Sequence, residues 1–224
     1  MKLIEPYYEI LDPLDEKTML ERIERVARTC YKSEKKIKEG SALKLVQSLI
    51  DNGHGAMLEF ANITVRFIVD RGVTHELVRH RIASFAQEST RYCNYGKDDD
   101  ITFIIPSWLT NDIKPGIYTE LEEMESSNDY WFNHMRWSEK TYNYMINNGW
   151  SPQKARSVLP NSLKTEINVG ANIREWRHIF KLRAINPKAH PDMRYIMLPL
   201  LAEFKLKLPT LFGDIKPKQI SLSK

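Results

Sequence analysis

The chain has 224 residues, of which 33 are Lys or Arg and 29 are Asp or Glu, giving a formal net charge of +4. This length buries a sizeable core without staples, and the small positive excess does not predict general nucleic-acid binding. The two cysteines, Cys30 and Cys93, form neither a disulfide framework nor a metal site. Because a signal peptide and any run of 18 apolar residues are lacking, we expect a cytoplasmic protein with no membrane span.

Hydrophobic periodicity predicts two helices near the amino terminus. Residues 16–31 carry apolar side chains at helical spacing, which places Cys30 on the buried face. A second helix is predicted over 41–51, with Ser41 as its cap and Asn52-Gly53 at its end.

The periodicity then changes to that of a strand. Alternating apolar and polar residues over 62–69 predict a half-buried strand. Thr74 is a candidate amino-terminal cap for a short helix that extends to about Ile82. This helix would carry the most basic segment of the chain.

The second half of the chain predicts further helices and strands. The expected elements are strands over 101–105 and 163–170, a long helix over 117–146, a short helix that starts at Ser151-Pro152 and carries Arg156, and helices over 172–183 and 192–207. Because helices and strands are mixed and no linker is evident, we predict an α/β (α+β) fold with long helices. The chain is expected to form one domain over 1–224, with a polar tail at about 216–224.

The segment RHRIASFAQESTRY, residues 79–92, is the most informative part of the sequence. Its cationic or near-cationic side chains are costly to bury without anionic partners, and the segment contains a single acid, Glu88. Arginine suits phosphate and carboxylate, while hydroxyl and amide groups recognise polar edges. These groups are Arg79, His80, Arg81, Arg91, Ser84, Gln87, Ser89 and Thr90. We therefore expect a phosphate-bearing heterocycle as ligand, although a basic triplet alone is also typical of a solvated helix face.

The longer pattern is more specific than the triplet. Arg-His-Arg, seven residues, Ser and, two residues later, Arg resembles the signature of the flavin-dependent thymidylate synthases. Further segments resemble elements of the same family in the same order, from about residue 54 to residue 183. These segments are HGAMLEF, THELV, KARSVLP and NIREWRHIFKLR.

The resemblance implies a reaction and its cofactors. It implies methylation of dUMP to dTMP, with methylenetetrahydrofolate as carbon donor and FAD, recharged by NADPH, as reductant. In such an enzyme the flavin carries the redox chemistry, while the protein supplies orientation and electrostatics. A homotetramer with sites at subunit interfaces is implied as well.

The resemblance also implies roles for residues of this chain. Arg183 matches the arginine that activates the pyrimidine and is the catalytic candidate. Residues implied to contact dUMP are Glu76, Arg79, Gln87, Glu88, Ser89, Thr90, Arg91, Arg156 and Arg183. Residues implied to contact FAD are His54, Ala56, Arg79, His80, Arg81, Gln87, Asn172, Arg174 and His178. No metal site is expected, because no third ligand follows His54 and Glu59 at a recognisable spacing.

Helix geometry adds expectations that do not depend on the family. Arg174 and His178 are four residues apart and share one helix face, while Asn172 and Arg183 share another. Three consecutive residues on a helix spread through about 200°, so the Arg79–Arg81 triplet would not face one small ligand. This spread favours a site built between subunits.

Departures from the family pattern and rival functions leave alternatives open. Ala56 stands where many members carry a hydroxyl, and Gln87 stands where some have Glu. Cys93 is a candidate nucleophile in the manner of the unrelated cysteine-dependent thymidylate synthases. A nucleic-acid-binding module using the basic triplet with Phe85, Tyr92 and Tyr95, and an inactive flavin-binding member, are the remaining alternatives.

Overall fold

The computed structural model describes residues 1–96 and 100–217 and combines helices with strands, which confirms the predicted fold class. The α-helices are α1 (Glu16–Thr29), α2 (Ser41–Asp51), α3 (Arg71–Leu77), α4 (Ser127–Asn147), α5 (Pro152–Ala155), α6 (Ile173–Arg183), α7 (Pro191–Lys207) and α8 (Pro209–Phe212). The strands are β1 (Lys2–Ile4), β2 (Tyr7–Ile10), β3 (Asn62–Asp70), β4 (Ala83–Gln87), β5 (Thr102–Ile104), β6 (Gly116–Ile117) and β7 (Lys164–Asn172). Short 3-10 turns cover Glu34–Lys36, Gly55–Phe60 and Arg156–Val158.

The strands form two sheets. The three-stranded sheet has the order β5-β1-β6, with β1 parallel to β5 and antiparallel to β6. The four-stranded sheet has the order β2-β3-β7-β4, so its central pair joins strands far apart in sequence. Side chains of β3 and β7 alternate between buried and half-buried along most of their length, as the sequence pattern predicts.

The described chain divides into two compact units, each assembled from separate segments. The first unit comprises Met1–Tyr7, Phe67–Arg79 and Phe85–Asn168. Its core contains the fully buried side chains of Leu3, Phe103 and Leu163, packed with apolar residues of α4. The prediction of one domain is not decided by this division and stays a prediction.

The second unit comprises Tyr8–Arg66, His80–Ser84 and the chain from Val169 to the last described residue. Its core includes four fully buried aromatic side chains, and the rings in contact have centroids 5.1–5.8 Å apart. These are Trp176, Phe180, Phe204 and Phe212. The Trp176 indole donates to the Ile63 carbonyl oxygen at 2.9 Å, which satisfies its polar group. This packing fixes α6, the helix that carries several of the predicted site residues.

Two predicted helix boundaries are wrong. The long helix begins at Ser127 instead of residue 117, because Ser126 and Asp129 form a capping box at its start. Helix α3 is capped by Asp70, whose carboxylate accepts from the Val73 backbone at 2.7 Å, and not by Thr74. Thr74 lies inside the helix and donates its hydroxyl to the Arg71 carbonyl oxygen.

Other local predictions differ in smaller ways. Helix α2 has the predicted bounds, but Gly40 occupies its cap position and the Ser41 hydroxyl donates to Glu24 and to the Lys38 carbonyl. Cys30 is exposed, because α1 ends at Thr29 and its buried face stops there. Among the described residues, no helix is long and apolar enough to cross a membrane. Most of the predicted polar tail, residues 218–224, lies outside the described residues.

Candidate active site

The Arg79–Arg81 triplet lies in a turn, which corrects the prediction that it lies on a helix. Helix α3 ends at Leu77, and the chain turns through 78–82 before entering β4. Only His80 of the triplet is buried, at 5% exposure, while Arg79 and Arg81 are exposed. The expected spread through a helical arc therefore does not occur. Most of the cationic groups are solvated, so the segment does not bury a cluster of like charges.

His80 receives its acidic partner from α6. Its Nδ1 lies 3.2 Å from Oε1 of Glu175, and its Nε2 accepts a hydrogen bond from Nε–H of Arg183 at 3.1 Å. An arginine stays protonated in proteins, so Nε2 serves as the acceptor and the proton resides on Nδ1. The three side chains form a relay from carboxylate to imidazole to guanidinium within the second unit. Arg183 is the residue that the family resemblance implies as the catalytic candidate.

Two opposing effects act on the pKa of the Glu175 carboxyl. Burial raises the pKa of this carboxyl, while the charges of His178 and Arg174 act to lower it. Glu175 is the third residue of α6, where the helix dipole favours a negative charge. The carboxylate is thus held among cationic groups in a largely dry setting, where its hydrogen bond to imidazole is strong.

His80, Glu175 and His178 are also close enough to be considered as metal ligands. Their ligand atoms lie within 4.8 Å of one another, and the rings of His80 and His178 meet edge to face at 5.7 Å. Both ring nitrogens of His80 are already engaged, one by Glu175 and one by the cationic Arg183. A cation on Nε2 would have to displace a guanidinium, so we interpret the cluster as a hydrogen-bonded relay.

Two side chains at the start of helix α6, Asn172 and Arg174, make separate contacts. The side-chain oxygen of Asn172 caps the helix by accepting from the Glu175 backbone at 2.8 Å. Arg174 is exposed and pairs with Glu59 at 2.6 Å. Arg174 and His178 line one cavity of about 250 Å³, which confirms that they share a helix face. The side-chain oxygen of Asn172 is committed to the cap, and its implied flavin contact stays a prediction.

A larger cavity lies in the second unit beside the HGAMLEF segment. It has a volume of about 760 Å³ and is bordered by His54, Gly55, Ala56 and Arg174. The remainder of its lining mixes cationic, hydroxyl and apolar side chains, and comprises Ala27, Arg28, Cys30, Tyr31, Ser33, Lys36, Leu45, Leu49, Gly53 and Met57. A Cβ atom at Gly55 would lie 3.2 Å from Nε of Arg174, so glycine lets backbone and guanidinium approach. This donor set suits a large ligand with phosphates and an apolar ring, such as a dinucleotide.

The last hydroxyl and arginine residues of the signature, Ser89, Thr90 and Arg91, lie in the first unit together with Arg156. The Arg156 guanidinium donates to the Thr90 hydroxyl at 3.0 Å, and the Arg91 backbone donates to the Ser89 hydroxyl at 3.3 Å. The Arg91 side chain is exposed, with its guanidinium 5.4 Å from the Tyr92 ring centre. Arginine and hydroxyl donors at this spacing fit a phosphate group.

Gln87 and Glu88 make contacts that the sequence does not predict. The Gln87 amide donates to the Thr74 and Thr165 hydroxyls at 3.0 and 3.3 Å. The Glu88 carboxylate accepts from the Tyr95 hydroxyl at 2.6 Å and from Lys164 at 3.3 Å. Burial, together with Glu88, raises the pKa of Tyr95 and keeps its hydroxyl protonated. Gln87 and Glu88 therefore form hydrogen bonds to other side chains of the protein that stabilise the signature segment. Their implied roles in ligand contact stay predictions.

Glu175 is the site residue that sequence reasoning missed. It follows the cap residue Asn172 by three positions, which is where a capping-box acid contacts the helix backbone. In this structure its side chain contacts His80, 95 positions earlier in the chain. A local pattern carries no signal for so distant a partner.

The fold and these clusters define a mixed α/β protein with cationic sites suited to phosphate-bearing ligands. A family model described as "Thymidylate synthase complementing protein" matches residues 14–210. Two curated relatives are both named flavin-dependent thymidylate synthase. One, from Corynebacterium efficiens, is 30% identical over 207 residues, covering 89% of this chain and 80% of its own. The other, from Pyrococcus furiosus, is 33% identical over 186 residues, covering 81% of this chain and 68% of its own. The chain belongs to this thymidylate synthase family, which confirms the resemblance.

A solved structure supports the fold independently. The crystal structure of a UMP/dUMP methylase, PolB from Streptomyces cacaoi, bound with 5-Br dUMP, superposes with a TM-score of 0.73 at 22% sequence identity. The superposition covers 95% of this chain and 96% of that chain. The two proteins therefore share one fold along almost their entire lengths.

Proposed function

We propose that this protein methylates dUMP to dTMP, with methylenetetrahydrofolate as carbon donor and FAD, reduced by NADPH, as reductant. The observation that carries the proposal is the engagement of Arg183 by the buried His80–Glu175 pair, in a chain of the thymidylate synthase family. A flavin, when bound, supplies the reducing equivalents that complete a methyl group. The contribution of the protein is binding, orientation and placement of charge.

Arg183 stabilises the negative charge that makes the pyrimidine carbon nucleophilic. A guanidinium held beside the ring imide needs no reorganisation as charge develops, and such preorganised stabilisation is commonly the largest catalytic contribution. The nucleotide phosphate is bound by Arg156 and Arg91, together with Ser89 and the backbone near Thr90. The Arg156–Thr90 hydrogen bond supports this assignment, because it places a guanidinium beside the signature hydroxyls.

The residues around the large cavity of the second unit suit the cofactor. His54, the Gly55–Ala56 backbone and Arg174 provide polar and cationic groups for a pyrophosphate, while apolar neighbours suit an adenine ring. The set that the family resemblance implies is completed by Arg79, His80, Arg81, Gln87, Asn172 and His178.

The proposed assembly is a homotetramer located in the cytoplasm, with each site formed at a subunit interface. The helical spread of the Arg79–Arg81 triplet no longer supports it, because the triplet lies in a turn. The proposal therefore depends on the family resemblance. Light scattering on the purified protein tests it, and an active monomer would contradict it.

The cofactor part of the proposal is tested by an absorbance spectrum of the purified protein, taken after incubation with FAD and removal of free ligand. We expect retained flavin bands that bleach with NADPH only when the protein is present. A colourless protein that does not retain added FAD would contradict the proposal. It would favour the alternative of oligonucleotide binding, which predicts steep salt dependence.

Replacing Gly55 with alanine is expected to weaken FAD binding about tenfold without unfolding the protein. The new methyl group would displace the Arg174 guanidinium and weaken its proposed charge-assisted contact with the FAD pyrophosphate. The displaced atoms belong to a flexible, exposed side chain, so stability should change by less than about 1 kcal/mol. Fluorescence titration with FAD and urea unfolding measure the two effects. Gly116→Ala, where the nearest atoms are 3.5 Å from the added Cβ, is the control. If Gly55→Ala binds FAD with unchanged affinity, the proposal that FAD occupies this cavity would be contradicted.

Replacing Cys93 with alanine is expected to leave the rate of dTMP formation within about twofold of the wild type, because the chemistry requires no thiolate. Cys93 is half-buried and its backbone donates to the Ser89 carbonyl oxygen at 3.0 Å. Steady-state assays of Cys93→Ala measure the effect. Complete loss of activity in a folded variant would instead support attack on the pyrimidine by a cysteine.

A further inference from the structure

We propose that Glu175 is a positioning residue that fixes the tautomer of His80 and, through His80, the orientation of Arg183. The inference deepens the proposed function and depends on it, because the guanidinium that is oriented is the one assigned to pyrimidine activation. Glu175 does not match any position that the family resemblance identifies as a site residue.

The first step of the argument concerns the two hydrogen bonds of His80. A carboxylate is an acceptor only, so the 3.2 Å contact with Nδ1 requires a proton on Nδ1. The 3.1 Å contact with Nε–H of Arg183 requires a lone pair on Nε2. One neutral tautomer satisfies both contacts at once.

The second step concerns the opposite tautomer. With the proton on Nε2, two donors would face one another at Arg183, and two acceptors would face one another at Glu175. An imidazolium would keep the Glu175 bond but would place an N–H against the guanidinium. Both alternatives lose the hydrogen bond that orients Arg183. The carboxylate therefore selects the ring state in which Nε2 can hold the guanidinium.

The third step is that helix capping does not account for the direction of the Glu175 side chain. Asn172 already caps α6, and the Glu175 side chain turns to His80 instead of to the helix start. The side chains of His80 and Glu175 are 4% and 8% exposed, so the contact is largely shielded from water. Burial also raises the pKa of the Glu175 carboxyl, so desolvation opposes its ionised form, while the charges of His178 and Arg174 favour it. The side chain of Glu175 is therefore directed at His80 and not at the helix backbone.

The matched variants are Glu175→Gln and Glu175→Asp. The amide has the shape of Glu but can donate as well as accept, so it no longer selects one tautomer. We expect Glu175→Gln to lower kcat by about 10- to 100-fold, by analogy with the loss caused by removing the hydrogen-bond partner that orients a metal-bound imidazole. KM for dUMP should stay within about threefold, because Arg91 and Arg156, the arginines proposed to bind the nucleotide phosphate, are unchanged. Glu175→Asp keeps an acceptor-only group and should recover part of kcat.

A readout independent of activity is the ¹⁵N spectrum of histidine-labelled protein, recorded with and without FAD. We expect His80 of the wild type to carry its proton on Nδ1, and Glu175→Gln to show a mixture of tautomers. Glu139→Gln is the control for loss of a buried carboxylate, since Glu139 accepts from the Ile101 backbone at 2.9 Å in the first unit. It should change stability but neither the His80 tautomer nor kcat.

The outcomes separate the two proposals. Retention of wild-type kcat by Glu175→Gln, or a His80 tautomer that does not respond to the substitution, would each overturn the positioning role. A kcat loss in the Glu139→Gln control equal to that of Glu175→Gln would also overturn it. A wild-type protein that forms no dTMP while retaining flavin would overturn the proposed function itself.

Discussion

Replacing Arg183 with alanine is expected to lower kcat for dUMP methylation by about 10²- to 10³-fold, the range found when one preorganised donor to developing charge is removed. Arg183 is half-buried and its Nε–H is held by His80, so its guanidinium has a defined direction before substrate binds. Alanine removes both the charge and the partner of His80. Flavin content should be retained, because the proposed cofactor cavity borders Arg174 and not Arg183.

Steady-state dTMP formation, corrected for flavin content, measures this effect. Arg183→Lys keeps the positive charge but loses the planar fork and the Nε donor, and should recover little activity. Arg22→Ala, a substitution on the exposed face of α1, serves as the arginine control and should have wild-type kcat. An Arg183→Ala protein that retains more than about a tenth of kcat would assign pyrimidine activation to another group.

Replacing Arg156 with alanine is expected to raise KM for dUMP by about 10- to 100-fold, because a charge-assisted hydrogen bond is worth about 1.5–3 kcal/mol. Its guanidinium donates to the Thr90 hydroxyl at 3.0 Å, so the substitution also leaves this buried hydroxyl without its donor. The change in kcat at saturating dUMP should be smaller than the change in KM. Binding of the phosphate stabilises the bound substrate and the transition state equally, so its loss affects KM and not kcat.

Initial rates over a range of dUMP concentrations separate the two parameters. Arg156→Lys keeps a positive charge but cannot form a paired contact, so its KM should lie between those of wild type and alanine. Lys154→Ala removes an exposed cation from the short helix α5 and should leave KM unchanged. Equal KM values for Arg156→Ala and wild type would place the nucleotide phosphate elsewhere.

Sequence pattern was sufficient where an element has a strong hydrophobic period. Strand β3 and helix α2 have bounds within one residue of those predicted, because alternation and helical spacing record which side chains are buried. Helix α6 is predicted over 172–183 and spans Ile173–Arg183, with Asn172 as its cap. The family resemblance depended on these same segments and on the signature beside them, and the family match confirms it.

Pattern was insufficient where a distant partner decides the conformation. The basic triplet was predicted to extend α3, but the helix ends at Leu77 and His80 turns toward Glu175. The missing acid was expected from a ligand, since Glu88 is the single acid of the segment. In the structure the acidic partner of His80 is Glu175 of α6. Glu88 instead accepts hydrogen bonds from Tyr95 and Lys164. Long-range pairing of this kind leaves no local signature in the sequence.

The central claim is tested most directly by measuring dTMP formation from dUMP, methylenetetrahydrofolate and NADPH with the purified, FAD-loaded protein. We predict that dTMP accumulates only when protein, FAD and NADPH are all present, and that activity is lost in Arg183→Ala. Absence of dTMP from a folded, flavin-containing protein, or equal dTMP formation after FAD has been removed, would contradict flavin-dependent methylation of dUMP.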